Sequence, residues 1–251
     1  MKVLEDLISV LNTEAKVRDI RMGLFHTAVL TRNCGLAATL PRDALRQEQP
    51  SAVREPGHLA NKGALELARM AYSESILEAA IGMATINSLL EIDEGNCQSL
   101  NAGDLIAEKG KGKKVAIVGH FPFVPKLREI VKELWVIEKN PREGDFTEIE
   151  AENLIPQADV VGITGTAFTN HSIEKLLKLC SPETYVVVLG DTAPLSQVLF
   201  DYDIDAISGT KVIDPELALR CVSEGATYRQ IKGIRQLTML RERGKDVNPG
   251  R

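Results

Sequence analysis

Lys114-Val115-Ala116-Ile117-Val118-Gly119-His120-Phe121-Pro122 is the stretch on which the fold turns. Four apolar residues, three of them β-branched, end on a glycine followed by a polar, aromatic and proline-containing tip. A short unbroken apolar run between turn signals reads as a strand buried on both faces. The same grammar recurs downstream and predicts strands at residues 135–138, 160–164, 185–189 and 206–208. Helical patterns lie between them. Leu127, Ile130, Val131 and Leu134 predict one helix, residues 148–155 a second, and Ile173, Leu176, Leu177 and Cys180 a third. Residues 195–201 suit a fourth. Asp214-Pro215 opens a fifth with an N-cap acid and proline in the first turn, and Gly225 is placed to end it. Buried strands alternating with helices imply parallel βαβ units with right-handed crossovers, a Rossmann-like domain.

Toward the N-terminus the pattern changes. Lys109-Gly110-Lys111-Gly112-Lys113-Lys114 is a basic connector that lacks the GxxxxGK[ST] of a phosphate loop. Before it, Leu4, Leu7, Ile8 and Leu11 repeat at helical spacing. Two β-like runs, residues 24–31 and 36–40, flank the turn signal Asn33-Cys34-Gly35 and predict a hairpin. Residues 41–63 read as loop, and helices follow at residues 64–72 and 76–90, the latter with Ile76, Ala79, Ala80 and Met83 on one face. The expected architecture is α/β: a smaller α+β domain over residues 1–108 and the Rossmann-like domain over 109–251.

Composition narrows the function. The 251 residues carry 30 Lys+Arg against 35 Asp+Glu, a net charge of -5, which argues against a nucleic-acid partner. Aromatics are 4%, too few for a base-stacking platform. Cys34, Cys97, Cys180 and Cys221 are widely spaced with no CxxC pair, the pattern of reduced thiols in the cytoplasm. The acidic start Met1-Lys2-Val3-Leu4-Glu5-Asp6 does not read as a signal peptide. The longest uncharged run, about 14 residues between Asp159 and Glu174, is short of the ~18 a membrane span needs.

In open α/β sheets, ligands bind beyond the carboxyl ends of the strands, where strand order reverses. The residues at those ends are Gly119, His120 and Phe121 after the first strand, and Glu138 after the second. Thr164, Gly165, Thr166 and Asn170 follow the third, and Gly190, Asp191 and Thr192 the fourth. Glycines, hydroxyls and amides at strand tips bring backbone N–H groups and short polar side chains to a ligand. They also have structural explanations: glycines permit tight turns, and Asn170 fits a helix N-cap. Glu138 lies 19 residues beyond Gly119, where an acid binds ribose hydroxyls in dinucleotide sites. The first tip has no GxGxxG, however, and His120-Phe121-Pro122 puts bulk where a pyrophosphate would approach, so ordinary NAD or FAD binding is disfavoured. HExxH, GxSxG and clustered zinc spacings are also missing, so a metal site would have to be gathered from distant residues such as His120, Glu138 and Asp191.

The ordered set Val118-Gly119-His120-Phe121-Pro122, Glu138, Ala158-Asp159-Val160-Val161, Thr164-Gly165-Thr166 with Asn170, Gly190-Asp191, and Gly209 with Val212 and Asp214 resembles the heavy-metal chelation domain family, prokaryotic proteins of unknown function. This chain departs at Gly190-Asp191-Thr192, where Gly-Pro-Ser or Gly-Pro-Thr is expected; Asp191 adds a carboxylate there. The resemblance implies an N-terminal domain similar to that of enolase, a Rossmann-like second domain and a site in the cleft between them. The expected function is therefore a cytoplasmic protein binding a small molecule, a divalent or heavy metal, or a metal chelate, in that cleft, either alone or as a homo-oligomer. The alternatives are an enzyme acting on a nucleotide-like or pterin-like substrate with His120 as general acid/base, and an interaction protein with a vestigial cleft.

Overall fold

The computed structural model describes residues 1–46 and 53–242. Its N-terminal part contains α1 (Lys2–Ser9), β1 (Asp19–Met22), β2 (His26–Leu30), β3 (Cys34–Ala38), α2 (Pro41–Arg46), α3 (Ala64–Arg69) and α4 (Ile76–Leu89). The predicted hairpin is β2–β3, extended by β1 into a three-stranded antiparallel sheet. Helix α4 is apolar around almost its whole circumference, and accordingly nearly all of it is buried. It lies across β2 and β3 on one side and against α3 on the other. Gly82 lets α4 approach the 3₁₀ turn Met70–Tyr72 that follows α3: a Cβ there would sit 1.9 Å from the backbone nitrogen of Ala71.

A short strand, β4 (Cys97–Gln98), and α5 (Ala102–Gly110) precede the Rossmann-like alternation and pack with it. The alternation runs β5 (Lys114–Val118), α6 (Val124–Arg128), β6 (Glu133–Ile137), α7 (Ala151–Leu154), β7 (Val160–Thr164), α8 (Thr166–Thr169), α9 (Ile173–Leu179), β8 (Tyr185–Leu189), β9 (Ala206–Val212), α10 (Pro215–Ser223) and β10 (Ile234–Leu240). These strands form one seven-stranded sheet in the order β4-β10-β9-β8-β7-β5-β6. From β9 to β6 every pairing is parallel; β10 and β4 join antiparallel at the far edge. Thus the chain enters at β5, goes outward to β6, then returns past β5 to build β7, β8 and β9. Strand order reverses between β5 and β7.

Several local expectations need correction. Residues 41–63 are not all loop: Pro41 opens α2, with Asp43 in its first turn and Arg46 in its last, and a single 3₁₀ turn covers Leu59–Asn61. Residues 47–52 of that stretch lie outside the described residues. The helix read through Leu134 ends at Arg128, because Leu134 belongs to β6, where it is buried. Asn170 does not cap a helix N-terminus. It closes α8, and its Oδ1 accepts hydrogen bonds from the amide (3.1 Å) and hydroxyl (2.6 Å) of Ser172. Asp214 does cap α10, accepting from the Leu217 amide at 3.1 Å, with Pro215 in the first turn.

One core runs through both parts. Val29, Ala37, Ile81 and Met83 share a buried cluster with Phe168, Ala193 and Leu195. A second cluster packs Ala28 and Leu36 against Val212, Leu219 and Val222. The small sheet and α4 therefore cover the carboxyl ends of the large sheet. Among the described residues no helix is long and apolar enough to cross a membrane.

Candidate functional site

A cavity of about 500 Å³ opens at the tips of β5, β6 and β7, at the reversal of strand order. Its first wall is the β5 tip. Gly119 has φ +107°, a conformation that side chains other than glycine's rarely adopt, and a Cβ there would press on Thr164 at 3.1 Å and on the Phe121 ring at 3.2 Å. The chain therefore turns sharply and puts His120 and Phe121 on the cavity lining. Phe121 stacks on Phe123, with ring centroids 5.3 Å apart and planes 14° from parallel.

His120 is held by Asp145. Its Nε2 lies 2.7 Å from the Asp145 carboxylate, and the imidazole remains 29% exposed while the carboxylate is 6% exposed. Asp145 sits in a turn that folds back on β6: the Phe146 amide donates to the Val136 carbonyl at 2.7 Å, and the Glu138 amide donates to the Phe146 carbonyl at 2.9 Å. Burial works against the Asp145 charge. The Arg142 amide, donating at 2.8 Å, and His120 outweigh it and hold this carboxyl below the ordinary aspartate range. An ionised carboxylate only accepts, so in the neutral imidazole Nε2 carries the proton and Nδ1 keeps a lone pair for a ligand or a proton.

The β6 tip contributes Glu138, Lys139 and Asn140. Asn140 Oδ1 also accepts a hydrogen bond from Arg46, tying α2 across the mouth of the cavity. From β7 come Thr164 and Thr166, whose hydroxyls are 3.1 Å apart, and beyond α8 comes Asn170. Apolar floor is supplied by Val118, Ile137, Ala151 and Leu176, and the N-terminal part adds Leu40 and Asp43.

Seven of the residues singled out from the sequence thus meet at one cavity: Gly119, His120, Phe121, Glu138, Thr164, Thr166 and Asn170. Four do not line it. Gly165 turns away, so close to the β8 tip that a Cβ would lie 2.4 Å from the Ala193 nitrogen. Gly190 precedes the same contact. Asp191 faces His26 of β2 across the seam between the two parts, with its carboxylate 2.6 Å from Nε2. Thr192 accepts the Ala38 amide at 2.9 Å through its hydroxyl, and its carbonyl accepts from Asn87 at 3.3 Å. The β8 tip is an anchor for the N-terminal part. Asp145, Lys139, Asn140 and Asp43 escaped the sequence reading. The one signal for Asp145 was turn composition, Pro141-Arg142-Glu143-Gly144-Asp145, which says nothing about what the carboxylate meets.

Among the described residues no three His, Cys, Asp or Glu side chains group in a metal-holding arrangement. Burial pushes the Cys34 and Cys180 thiols up to about 12, so both are protonated at neutral pH.

Two family models, both described as putative heavy-metal chelation, match residues 4–90 and 101–241. The chain belongs to that family. Membership in the chelation family is accompanied by a shared fold. A family protein of unknown function from Desulfitobacterium hafniense superposes with a TM-score of 0.80 over 96% of this chain and 97% of its own, at 24% identity. Another, from Pyrococcus horikoshii, does so with a TM-score of 0.82 over 96% and 98%, at 21% identity. An uncharacterized protein of Methanocaldococcus jannaschii is 27% identical over 235 residues, 91% of each chain.

Proposed function

We propose that this chain, a chelation-family protein, binds a small polar molecule in the cleft that the β5, β6 and β7 tips form with Leu40 and Asp43. The observation that carries the reading is the coincidence of the cavity with the reversal of strand order, the place where open α/β sheets take ligands. His120 contacts the ligand through Nδ1, Glu138 accepts from its hydroxyl or amino groups, and the Thr164, Thr166 and Asn170 side chains supply further hydrogen bonds. A heavy metal fits this site as part of the cargo, carried on an organic chelator that fills most of its coordination sphere, with His120 adding one nitrogen. Dispersed thiols and the acidic net charge agree with a cytoplasmic location and a small-molecule rather than nucleic-acid partner. A thermal-shift and calorimetric screen of divalent metals, nucleotides and their mixtures tests it, because a ligand of the native state raises the melting midpoint. A midpoint raised in the wild type and unmoved in His120→Ala supports the reading; one raised equally in both refutes it.

The His120–Asp145 pair favours a second reading, an enzyme acting on a nucleotide-like substrate. A carboxylate that fixes the tautomer of an imidazole beside a cleft is the arrangement of a general base. Glu138 then holds hydroxyls at the ribose position. Turnover of a bound compound, abolished in His120→Ala, distinguishes this from binding alone.

A further inference from the structure

His26 is a buried titratable group that the cleft does not use. Its side chain is 7% exposed and that of Asp191 is 12% exposed. Both ring nitrogens face acceptors: Nε2 is 2.6 Å from the Asp191 carboxylate and Nδ1 is 3.3 Å from the Ala226 carbonyl. A neutral imidazole has one N–H to offer the two; the imidazolium has both, and it sets its charge beside an Asp191 Oδ2 that is buried and has no hydrogen-bond partner among the described residues. The charge that acts on the ring is that of Asp191. Tyr228 lies with its ring centroid 6.1 Å away, and burial raises the pKa of its phenol, which hydrogen-bonds Thr210 and Gln236. Across the β2–β3 ladder stands Ala38. On the other side, Thr192 and Ala193, which follow Asp191 directly, pack on Gly165, whose amide donates to the Leu189 carbonyl at 2.7 Å, and Gly165 leads directly into Thr166 on the cavity wall.

We propose that His26 and Asp191 form a proton-controlled latch on the seam between the two parts, closed while His26 carries both ring protons, and that its release is felt at the Thr164–Thr166 wall of the cleft. Burial alone disfavours the imidazolium, but Asp191 and the Ala226 carbonyl outweigh it, so His26 titrates above the ordinary histidine value. The stabilisation is therefore complete below about 6.5, the unfolded value. It is lost as pH rises through the higher folded value.

The test is an NMR titration of the full chain, following the His26 imidazole and the Gly165, Thr166 and Asp191 amides, with His26→Gln to assign the ring. Repeating it in His120→Ala removes the imidazole of the cleft from the readout and keeps the result independent of any ligand. The expected result is a His26 midpoint above its ordinary value, with the Thr166 amide shifting at that same midpoint. In Asp191→Asn the His26 midpoint should fall by about one pH unit and the Thr166 inflection should vanish. A His26 ring that titrates at or below its ordinary value, or a Thr166 amide that stays flat through the His26 titration, overturns the proposal. If Asp191→Asn does not fold, the two midpoints in the wild type decide the matter.

Discussion

Truncating the two members of the His120–Asp145 pair separates contact from support. His120→Ala removes one hydrogen bond from a ring that is 29% exposed, and Asp145 keeps the Arg142 amide as a donor. One such bond contributes about 1 kcal/mol net. For a chain of this size that is a loss of roughly 2–4 °C in melting midpoint. Asp145→Ala removes the acceptor for both His120 and the Arg142 amide and unpins the turn that lies back on β6. Two bonds, both accepted by an ionised carboxylate, put the cost at about 2 kcal/mol or somewhat more, roughly 4–8 °C. In affinity the order reverses. His120→Ala should weaken the cleft ligand at least about tenfold, or ~1.4 kcal/mol. Asp145→Ala leaves the imidazole in place but less well oriented, and should weaken binding by less. Urea denaturation and calorimetric titration on the same two preparations measure both orders. If His120→Ala proves the more destabilising and leaves the affinity of its folded fraction intact, His120 is a structural residue and the functional reading fails.

Other outcomes follow from single contacts. Gly82→Ala should destabilise by about 2 kcal/mol or more in urea: helix propensity favours alanine by ~1 kcal/mol, but the new Cβ would meet the Ala71 backbone at 1.9 Å, a crowding that costs more. A stabilised variant would show that α4 and the Met70–Tyr72 turn move apart freely. Cys34 and Cys180, with thiols near 12, should resist iodoacetamide at neutral pH in the native protein and react once it is unfolded, as read by peptide mass spectrometry. Asp145 has a lowered folded pKa, so its contribution is full above the unfolded value of about 3.9 and fades as pH falls through the folded one. The stability difference between wild type and Asp145→Asn should accordingly shrink in acid; a constant difference down to pH 2 would refute the charge argument.

Strands β5 to β8 were legible because each carries a nearly unbroken apolar run, and once their order is known the tips of three of them necessarily converge. The antiparallel edge was not. β4 is two residues long, and β10 carries Arg235, Gln236 and Thr238 among its apolar positions, so neither matches the buried-strand pattern. The cleft was legible as far as each tip names its own residues. Asp145 was not, since it reaches His120 across 25 positions through a loop whose path depends on β6. Asp191 has the same tip composition as the residues at the cavity. What separates it from them is His26, contributed by a hairpin whose docking on the sheet no local pattern encodes.

The position of β10 bears on how the protein is made. This strand pairs with β9 along seven residues on one side and with β4 on the other, and the buried Thr238 hydroxyl donates to the Leu100 carbonyl and pairs with the Ser208 hydroxyl. Until residues 234–240 leave the ribosome, both neighbours present open hydrogen-bonding edges, a template for pairing with other chains. At about 5–20 residues per second that interval is short in normal synthesis but indefinite for a product cut off before Ile234. Such a fragment would contain every residue of the cleft and still be selected against, through aggregation or proteolysis rather than through loss of ligand contacts.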